Sequence, residues 1–442
     1  MKQERFDVAV IGSGIGGLCA AALLAHRGYK TLVVEKLPRI GGRCSTLDYK
    51  GFKIITGVIA VPTQGALKEI FDEVGAPFEL APVTSAGYIV DGKDFRLPER
   101  GGFRALLSAL SDDETEVNHL VNAIRRADTW KDPSNELSLD DWLSQYTSNP
   151  QIRALFKTLG DLYLVANMKE GSAREFFRQR RGQISAYGRP GIPPRGSIIL
   201  MEELAKTIQA KGGEVRTRCR AKKILVEEGR VKSVIVEGPQ GETEIVAQTI
   251  IGNGGPKNTV ALAGRENFDN GYLKEVDDVK PGFQMWITIA SDKPLHDIPY
   301  LTTIGTQRML GFITPSLICP ELAPPGKHIH FSLSGPLSQV EPIDPKKEVE
   351  LHIEEIRQNI PRFNDHGEIL HVGCYSGEWP VVRQMPLVGF SPLSQKTPAE
   401  NLYNVGDGVG ISGWLAGCFS CAISARMVVE DIEKRIQPEK MQ

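Results

Sequence analysis

The sequence predicts an α/β fold in two parts: a domain built on a parallel sheet, and a second α+β domain of antiparallel sheet plus helices. Three observations predict it. A short buried strand over 6–11, a helix over 15–27 and a second strand over 31–35 make a βαβ-type opening within about 30 residues. The turn joining the first two is rich in glycine, Gly12-Ser13-Gly14-Ile15-Gly16-Gly17. The chain, 442 residues with 41% hydrophobic side chains, is long enough for two buried cores.

In chain order, the uncharged run 8–25 nears the length of a membrane span, but its glycines divide it into a strand end and a helix start. The loop 38–44 contains Gly41-Gly42-Arg43. Residues 65–74 read as a helix. Residues 88–90 and 95–97 read as a hairpin around Asp91-Gly92, where glycine accepts a positive φ. From 103 to 183 the apolar spacing is mostly helical, with a polar break near Lys131-Asp132-Pro133. A Pro/Gly-rich connector, 188–196, leads to an amphipathic helix over 198–211, which Gly212-Gly213 ends. Residues 214–236 alternate like a hairpin folded at Glu228-Gly229, and 249–251 form a short apolar strand stopped by Gly252-Asn253-Gly254-Gly255-Pro256. Strands are expected over 283–290, 309–314 and 328–333, a helix over 346–359, a last buried strand over 402–405 and a closing helix over 414–434.

The bulk chemistry narrows the partners. With 52 Lys+Arg against 54 Asp+Glu the net charge is −2, so no nucleic acid is expected as a partner. Seven Cys, an odd number without dense spacing, and first residues lacking a signal-peptide pattern point to a reducing, cytoplasmic compartment. The eight His show neither HExxH nor zinc spacing, so no metal is expected; there is also no P-loop and no G-x-S-x-G elbow. Arg178, Arg180, Arg181 and Arg189 cluster before the connector. They read as a solvated face, or as a clamp for an anionic substrate tail or a peripheral membrane headgroup.

Gly12, Gly14 and Gly17 fill the G-x-G-x-x-G pattern of a Rossmann-type domain. The first glycine allows the tight turn, the second lets backbone approach a pyrophosphate, and the third lets the helix pack on the sheet. The helix start then offers free N–H groups to the anion. Glu35 ends the second strand about 20 residues on, where an acid should meet ribose hydroxyls.

The segment from Val33-Val34-Glu35-Lys36 through Gly41-Gly42-Arg43 resembles the extended dinucleotide-binding motif of FAD enzymes, specifically the amine oxidase and phytoene desaturase superfamily. Four later stretches agree: Gly51-Phe52 with Thr56-Gly57; Pro194-Arg195-Gly196 with the helix and strands after it; Ile250 to Pro256; and Leu402-Tyr403-Asn404-Val405-Gly406-Asp407. The resemblance implies FAD as cofactor. It implies a glutathione-reductase-like FAD-binding domain from 1–70, 190–260 and 365–442, and a substrate domain from 71–189 and 261–364. It also implies roles. Gly12, Ser13, Gly14, Ile15, Gly16 and Gly17, with Glu35 and Lys36, hold the ADP half. Gly42 and Arg43 lie over the phosphates. Gly57 and Val58 pass close to the flavin ring, Ala221 meets the adenine, and Asn253 marks the exit turn. Gly406 and Asp407 reach the ribityl chain or pyrophosphate, although Asp407 also suits an N-cap of the last helix. Trp414 and Leu415 run past the pyrimidine edge, where a helix N-terminus stabilises the negative charge that grows as hydride arrives.

Two further patterns bear on chemistry. Cys374-Tyr375 resembles the Cys-Tyr through which some amine oxidases of this superfamily attach FAD, and Tyr375 with Trp414 would then flank the substrate; Trp379 competes for that place. Cys418-Phe419-Ser420-Cys421 is a CxxC, readable as a redox dithiol or as small core residues of an apolar helix. The resemblance implies hydride transfer between a substrate C–H and flavin N5. The leading form is a desaturase-like dehydrogenation, reduction or isomerisation of a small apolar unsaturated substrate. Amine oxidation is the alternative, and a non-catalytic escort-type binding protein the rival of another class.

Overall fold

The computed structural model describes residues 2–90, 92–96, 98, 102–131, 134–185, 188–279, 283–335, 342–375, 387–389, 392–409 and 417–438. Within them the first strand, Lys2–Ile11, lies at the centre of a seven-stranded sheet. On one side it pairs in parallel with Thr31–Val34, which pairs with Glu214–Arg216. On the other it pairs in parallel with Gly241–Gly252 along its whole length. That long strand is shared. Its first half pairs antiparallel with Arg230–Gly238, which hairpins to Arg220–Glu227, and its last three residues pair in parallel with Leu402–Asn404. The strand expected over 249–251 is thus only the end of a twelve-residue strand, because Glu242, Glu244 and Gln248 put polar residues in the alternation and hide its length.

The uncharged run 8–25 divides as its glycines require. The strand ends at Ile11, Gly12 takes φ +101°, and the helix Ile15–His26 follows. Residues 15 to 25 of that helix are all buried, which explains why it carries no polar face. It sits between the sheet and the helices Ala66–Val74, Ile198–Ala210 and Gly417–Arg435. Among the described residues no helix is long and apolar enough to cross a membrane.

A second seven-stranded sheet has the order Glu368–Tyr375, Gln284–Ser291, His328–Ser334, Met309–Ile313, Tyr300–Thr303, Ala86–Val90 and Lys93–Arg96. All its pairs are antiparallel except that of Ala86–Val90 with Tyr300–Thr303. Strand Glu368–Tyr375 therefore pairs within this sheet, although residues from 365 on were expected to build the nucleotide domain. Helix Pro345–Asn359 covers one face with Ile287, Ile289 and Phe312. Toward the other lie the helices Gly102–Leu110, Glu114–Ala127, Leu139–Ser144, Pro150–Leu164 and Ala173–Ser185, packed around Trp142, Phe156, Phe176 and Phe177. Their starts are set by side-chain caps: Asp113 accepts from Thr115 and Glu116 N–H, Ser138 from Asp141 N–H, and Asn149 from Gln151 N–H ahead of Pro150.

The junction of first strand, turn and helix is the tightest point of the nucleotide half. A Cβ at Gly17 would lie 2.2 Å from the Gly12 carbonyl oxygen, which is backbone and cannot swing aside. Gly17→Ala should therefore push the helix off the sheet and cost about 2 kcal/mol. The check is thermal denaturation, with FAD retention measured on the same sample.

Candidate functional site

A cavity of about 680 Å3 opens at the carboxyl ends of the parallel strands, beside the Gly12–Gly17 turn. That volume is ordinary for a cofactor site, and its place is the topological switch point of the sheet, where the chain leaves the central strand in both directions. Gly12, Ser13, Gly14 and Ile15 line it. Gly16 and Gly17 do not. A Cβ at Gly16 would lie 2.7 Å from the Gly406 nitrogen, so these two glycines let backbone segments touch behind the turn rather than face the cavity.

Glu35 is buried and faces the same cavity. Its Oε2 accepts from Ser13 N–H at 3.0 Å and Ser13 Oγ–H at 2.7 Å; its Oε1 accepts from Leu37 N–H at 2.9 Å. A carboxylate has about four acceptor positions, so one remains for a ribose hydroxyl while the other three fix the turn. Lys36 and Ala221 line the same end, Ala221 at an irregularity in the pairing of Arg220–Glu227 with Arg230–Gly238.

Asn253 reaches across from the end of the long strand. Its N–H donates to the Ile11 carbonyl at 2.8 Å, and its side chain lies against Gly14, Gly16 and Gly406. Gly406 takes φ +105°, and its N–H donates to Ser424 Oγ on the last helix. Asp407 and Arg43 form a two-point ion pair, one contact being Nη1 to Oδ2 at 2.8 Å. Burial opposes the charge on Arg43, but the Asp407 carboxylate and its hydrogen bonds more than offset this and raise the guanidinium above its usual range. Gly42, Gly57 and Val58 complete this wall, and Val58 N–H donates to the Arg43 carbonyl at 2.9 Å.

The far wall comes from the second sheet. Tyr375, Gln284 and Trp286 line the cavity. Tyr375 donates its hydroxyl to the Thr56 carbonyl at 2.6 Å and meets Trp286 edge to face, with ring centroids 4.6 Å apart. Trp286 stands opposite Gly373, where any side chain would strike its ring. Trp286 was not singled out from the sequence: its alternation marks only a core strand, and its pairing with Gly373 is invisible in one dimension. Cys374 stands opposite Met285 on the other face of the strand, away from the face that carries Tyr375. That orientation separates it from the cavity wall and weighs against attachment of the cofactor there. Trp414, Leu415 and Trp379 lie outside the described residues.

Gly417, Cys418 and Cys421 line the cavity at the start of the last helix. Burial pushes the Cys418 thiol up to about 12 and the Cys421 thiol well above its usual value, with Asp407 adding to both. Both therefore stay protonated at neutral pH, which opposes the redox reading of the CxxC because the thiolate is the reactive form. The arginine cluster is also engaged internally: Arg178 pairs with Glu175, Arg180 with Asp128, and Arg181 donates to the Ala127 carbonyl. A solvated face describes these three poorly, since each is committed to a neighbour. Among the described residues no group of three or more His, Cys, Asp or Glu could hold a metal ion.

The donor set fits FAD: a glycine turn and helix start for the pyrophosphate, an acid for ribose, a paired arginine, and aromatic residues at the opposite end. Comparison with known proteins agrees. A family profile described as an NAD(P)-binding Rossmann-like domain matches residues 10–74. An uncharacterized protein of Methanocaldococcus jannaschii is 25% identical over 91% of this chain and 93% of its own. Human all-trans-retinol 13,14-reductase is 24% identical over 64% of this chain and 53% of its own length. The zeta-carotene-forming phytoene desaturase of Myxococcus xanthus is 24% identical over 52% of this chain and 50% of its own. The matches thus span about half of those two enzymes. Among solved structures, an oxidoreductase from Methanosarcina mazei superposes with a TM-score of 0.83 at 27% identity, covering 97% of this chain and all of that one. Cyclohexylamine oxidase from Brevibacterium oxydans shares the fold, with a TM-score of 0.68 at 16% identity over 97% of this chain and 99% of its own.

Asp407→Asn should leave Arg43 with a neutral partner in a half-buried place and weaken FAD binding about ten-fold, read by titrating the quenching of flavin fluorescence. The cavity geometry, the glycine turn and these likenesses together mark the chain as an FAD-type oxidoreductase similar to phytoene desaturases, a retinol reductase and flavin amine oxidases.

Proposed function

We propose that the chain moves hydride between a C–H bond of an apolar, unsaturated small molecule and the flavin, as a desaturase-like dehydrogenase or in the reverse, reductive or isomerising, sense. FAD, when bound, supplies the two-electron acceptor or donor. The chain's residues do the rest. The Gly12–Gly17 turn and Glu35 anchor the nucleotide. Arg43, held by Asp407, offers fixed positive charge. Trp286 and Tyr375 form the wall against which a substrate is oriented and water excluded.

One observation carries the choice of an apolar substrate. Trp286 and Tyr375 contact each other edge to face, so they close a wall instead of leaving a slot between two parallel rings. The acids on the cavity, Glu35 and Asp407, are already committed, to the turn and to Arg43. Neither feature favours capture of an ammonium group, which prefers open aromatic faces or a free carboxylate. The likeness to a retinol reductase and a phytoene desaturase supports the same reading. Seven free thiols support a reducing, cytoplasmic setting.

The test is anaerobic mixing of the FAD-loaded protein with conjugated polyenes and, separately, with primary amines, following the flavin absorbance. Polyenes should bleach the oxidised flavin or reoxidise the reduced one, and amines should do neither. Bleaching by amines alone would replace this reading with amine oxidation. Trp286→Phe should lower kcat/KM for the active polyene by about ten-fold while FAD stays bound, since the substrate loses part of its wall and the nucleotide contacts are untouched.

A further inference from the structure

The second sheet carries a row of side chains leading away from the cofactor cavity. Strand register places Gly373, Trp286, Leu333, Gly311, Thr302 and Tyr88 side by side across successive strands, all on one face. Trp286 lines the cavity and is buried. Beyond it the row is less closely covered: Leu333, Thr302 and Tyr88 are each only half-buried, Leu333 resting against the cluster of Trp286, Ile313 and Phe331, and Gly311 contributes no side chain. The opposite face of the same strands is closed core, with Ile287, Phe312, Leu301 and Ile89. At about 4.8 Å per strand, the four steps from Trp286 to Tyr88 span about 19 Å.

The row ends in three tyrosines. Tyr300 lies on the same face as Thr302, opposite Ala86 and diagonal to Tyr88 across the parallel pair. Tyr163 comes from helix Pro150–Leu164, which is pinned to this sheet by the Thr158 hydroxyl donating to the Thr303 carbonyl at 3.0 Å. Tyr163 is close enough to the other two that each phenol's ionisation feels it. All three are half-buried, and burial raises all three above the usual phenol value, so they sit in a recess and not on an open surface. None of the three hydroxyls has a hydrogen-bond partner among the described residues. Each hydroxyl keeps contact with accessible space and holds its hydrogen-bonding capacity for whatever fills the recess, where an oxygen from a ligand would meet it.

We propose that Tyr88, Tyr163 and Tyr300 form a distal anchor for the oxygenated end of an elongated apolar substrate whose chain lies along this row with its reacting end beside Trp286. The inference rests on the hydride-transfer reading above and adds a length and a polar terminus to the substrate class. The chain packs on Leu333 and over Gly311, and the terminal oxygen accepts from or donates to the phenols. These tyrosines are specificity residues; they touch no reacting atom.

Saturated primary alcohols test the anchor apart from the redox chemistry, because they offer no alkene to transform. Hexanol and hexadecanol would be titrated into the FAD-loaded protein, with binding read from the shift of the flavin absorbance. Hexadecanol should bind more tightly. Tyr88→Phe and Tyr163→Phe, which keep ring and packing, should each weaken hexadecanol about five-fold and leave hexanol unchanged. Thr302→Trp, which fills the row one strand short of Tyr88, should abolish hexadecanol binding and spare hexanol. Equal affinity for the two alcohols, hexadecanol binding unchanged in the phenylalanine variants, or equal weakening of both alcohols would overturn the anchor. A protein that keeps the length dependence but exchanges no electrons with polyenes would retain the anchor and lose the hydride-transfer reading.

Discussion

Everything at this site depends on three distant segments of chain coming within touching distance at the end of one strand. Gly12–Gly17, Asn253 and Gly406 meet with no room for side chains on the glycines: the Gly17 position abuts the Gly12 carbonyl, and the Gly16 position abuts the Gly406 nitrogen. The parallel ladder enforces this convergence. Gly12 N–H donates to Val34, Asn253 N–H to Ile11, and Val405 N–H to Gly252, so each strand end is held by its neighbour. A nucleotide cavity follows, because strands that stop together leave helix starts and unpaired N–H groups facing one crevice.

The second sheet is positioned by the same logic of small residues. Gly373 allows the Trp286 ring to lie across its neighbour strand, and the Tyr375 hydroxyl ties that strand to the Thr56 carbonyl in the nucleotide half. The aromatic wall is therefore fixed to the cofactor cradle by a hydrogen bond rather than by sequence proximity. Electrostatics at the cavity are also settled internally. Glu35 is spent largely on the turn, and Asp407 on Arg43, while Cys418 and Cys421 stay neutral. Among the described residues the cavity thus presents position and fixed charge, with both of its carboxylates already engaged, as suits an enzyme whose cofactor does the hard chemistry.

Much of the nucleotide half was legible in the sequence because its signals are local. A glycine turn between an apolar strand and an apolar helix, with an acid at the end of the next strand, is a pattern that a short window contains. The late Gly406-Asp407 was legible only through resemblance, since its partner Arg43 is far away in sequence. The strand Glu368–Tyr375 was missed because its burial pattern is half-exposed, and the wall residue Trp286, although buried in an expected strand, is defined by which strand lies alongside. The tyrosine recess was equally hidden, because Tyr88, Tyr163 and Tyr300 come from two strands and a helix that only register and packing bring together. The arginine cluster shows the limit of reading charge by proximity: Arg189 is exposed, but Arg178 and Arg180 pair with Glu175 and Asp128, which were not weighed with them.

Cys374 faces the other side of its strand and the thiols on the cavity stay protonated, so FAD is expected to occupy the cavity without a covalent link. The most direct measurement is the visible absorbance of the purified protein before and after acid precipitation. The native protein should show flavin bands that remain in the supernatant once the chain is removed. A yellow pellet would contradict the orientation assigned to Cys374, and a colourless protein that takes up no added FAD would contradict the cofactor site itself.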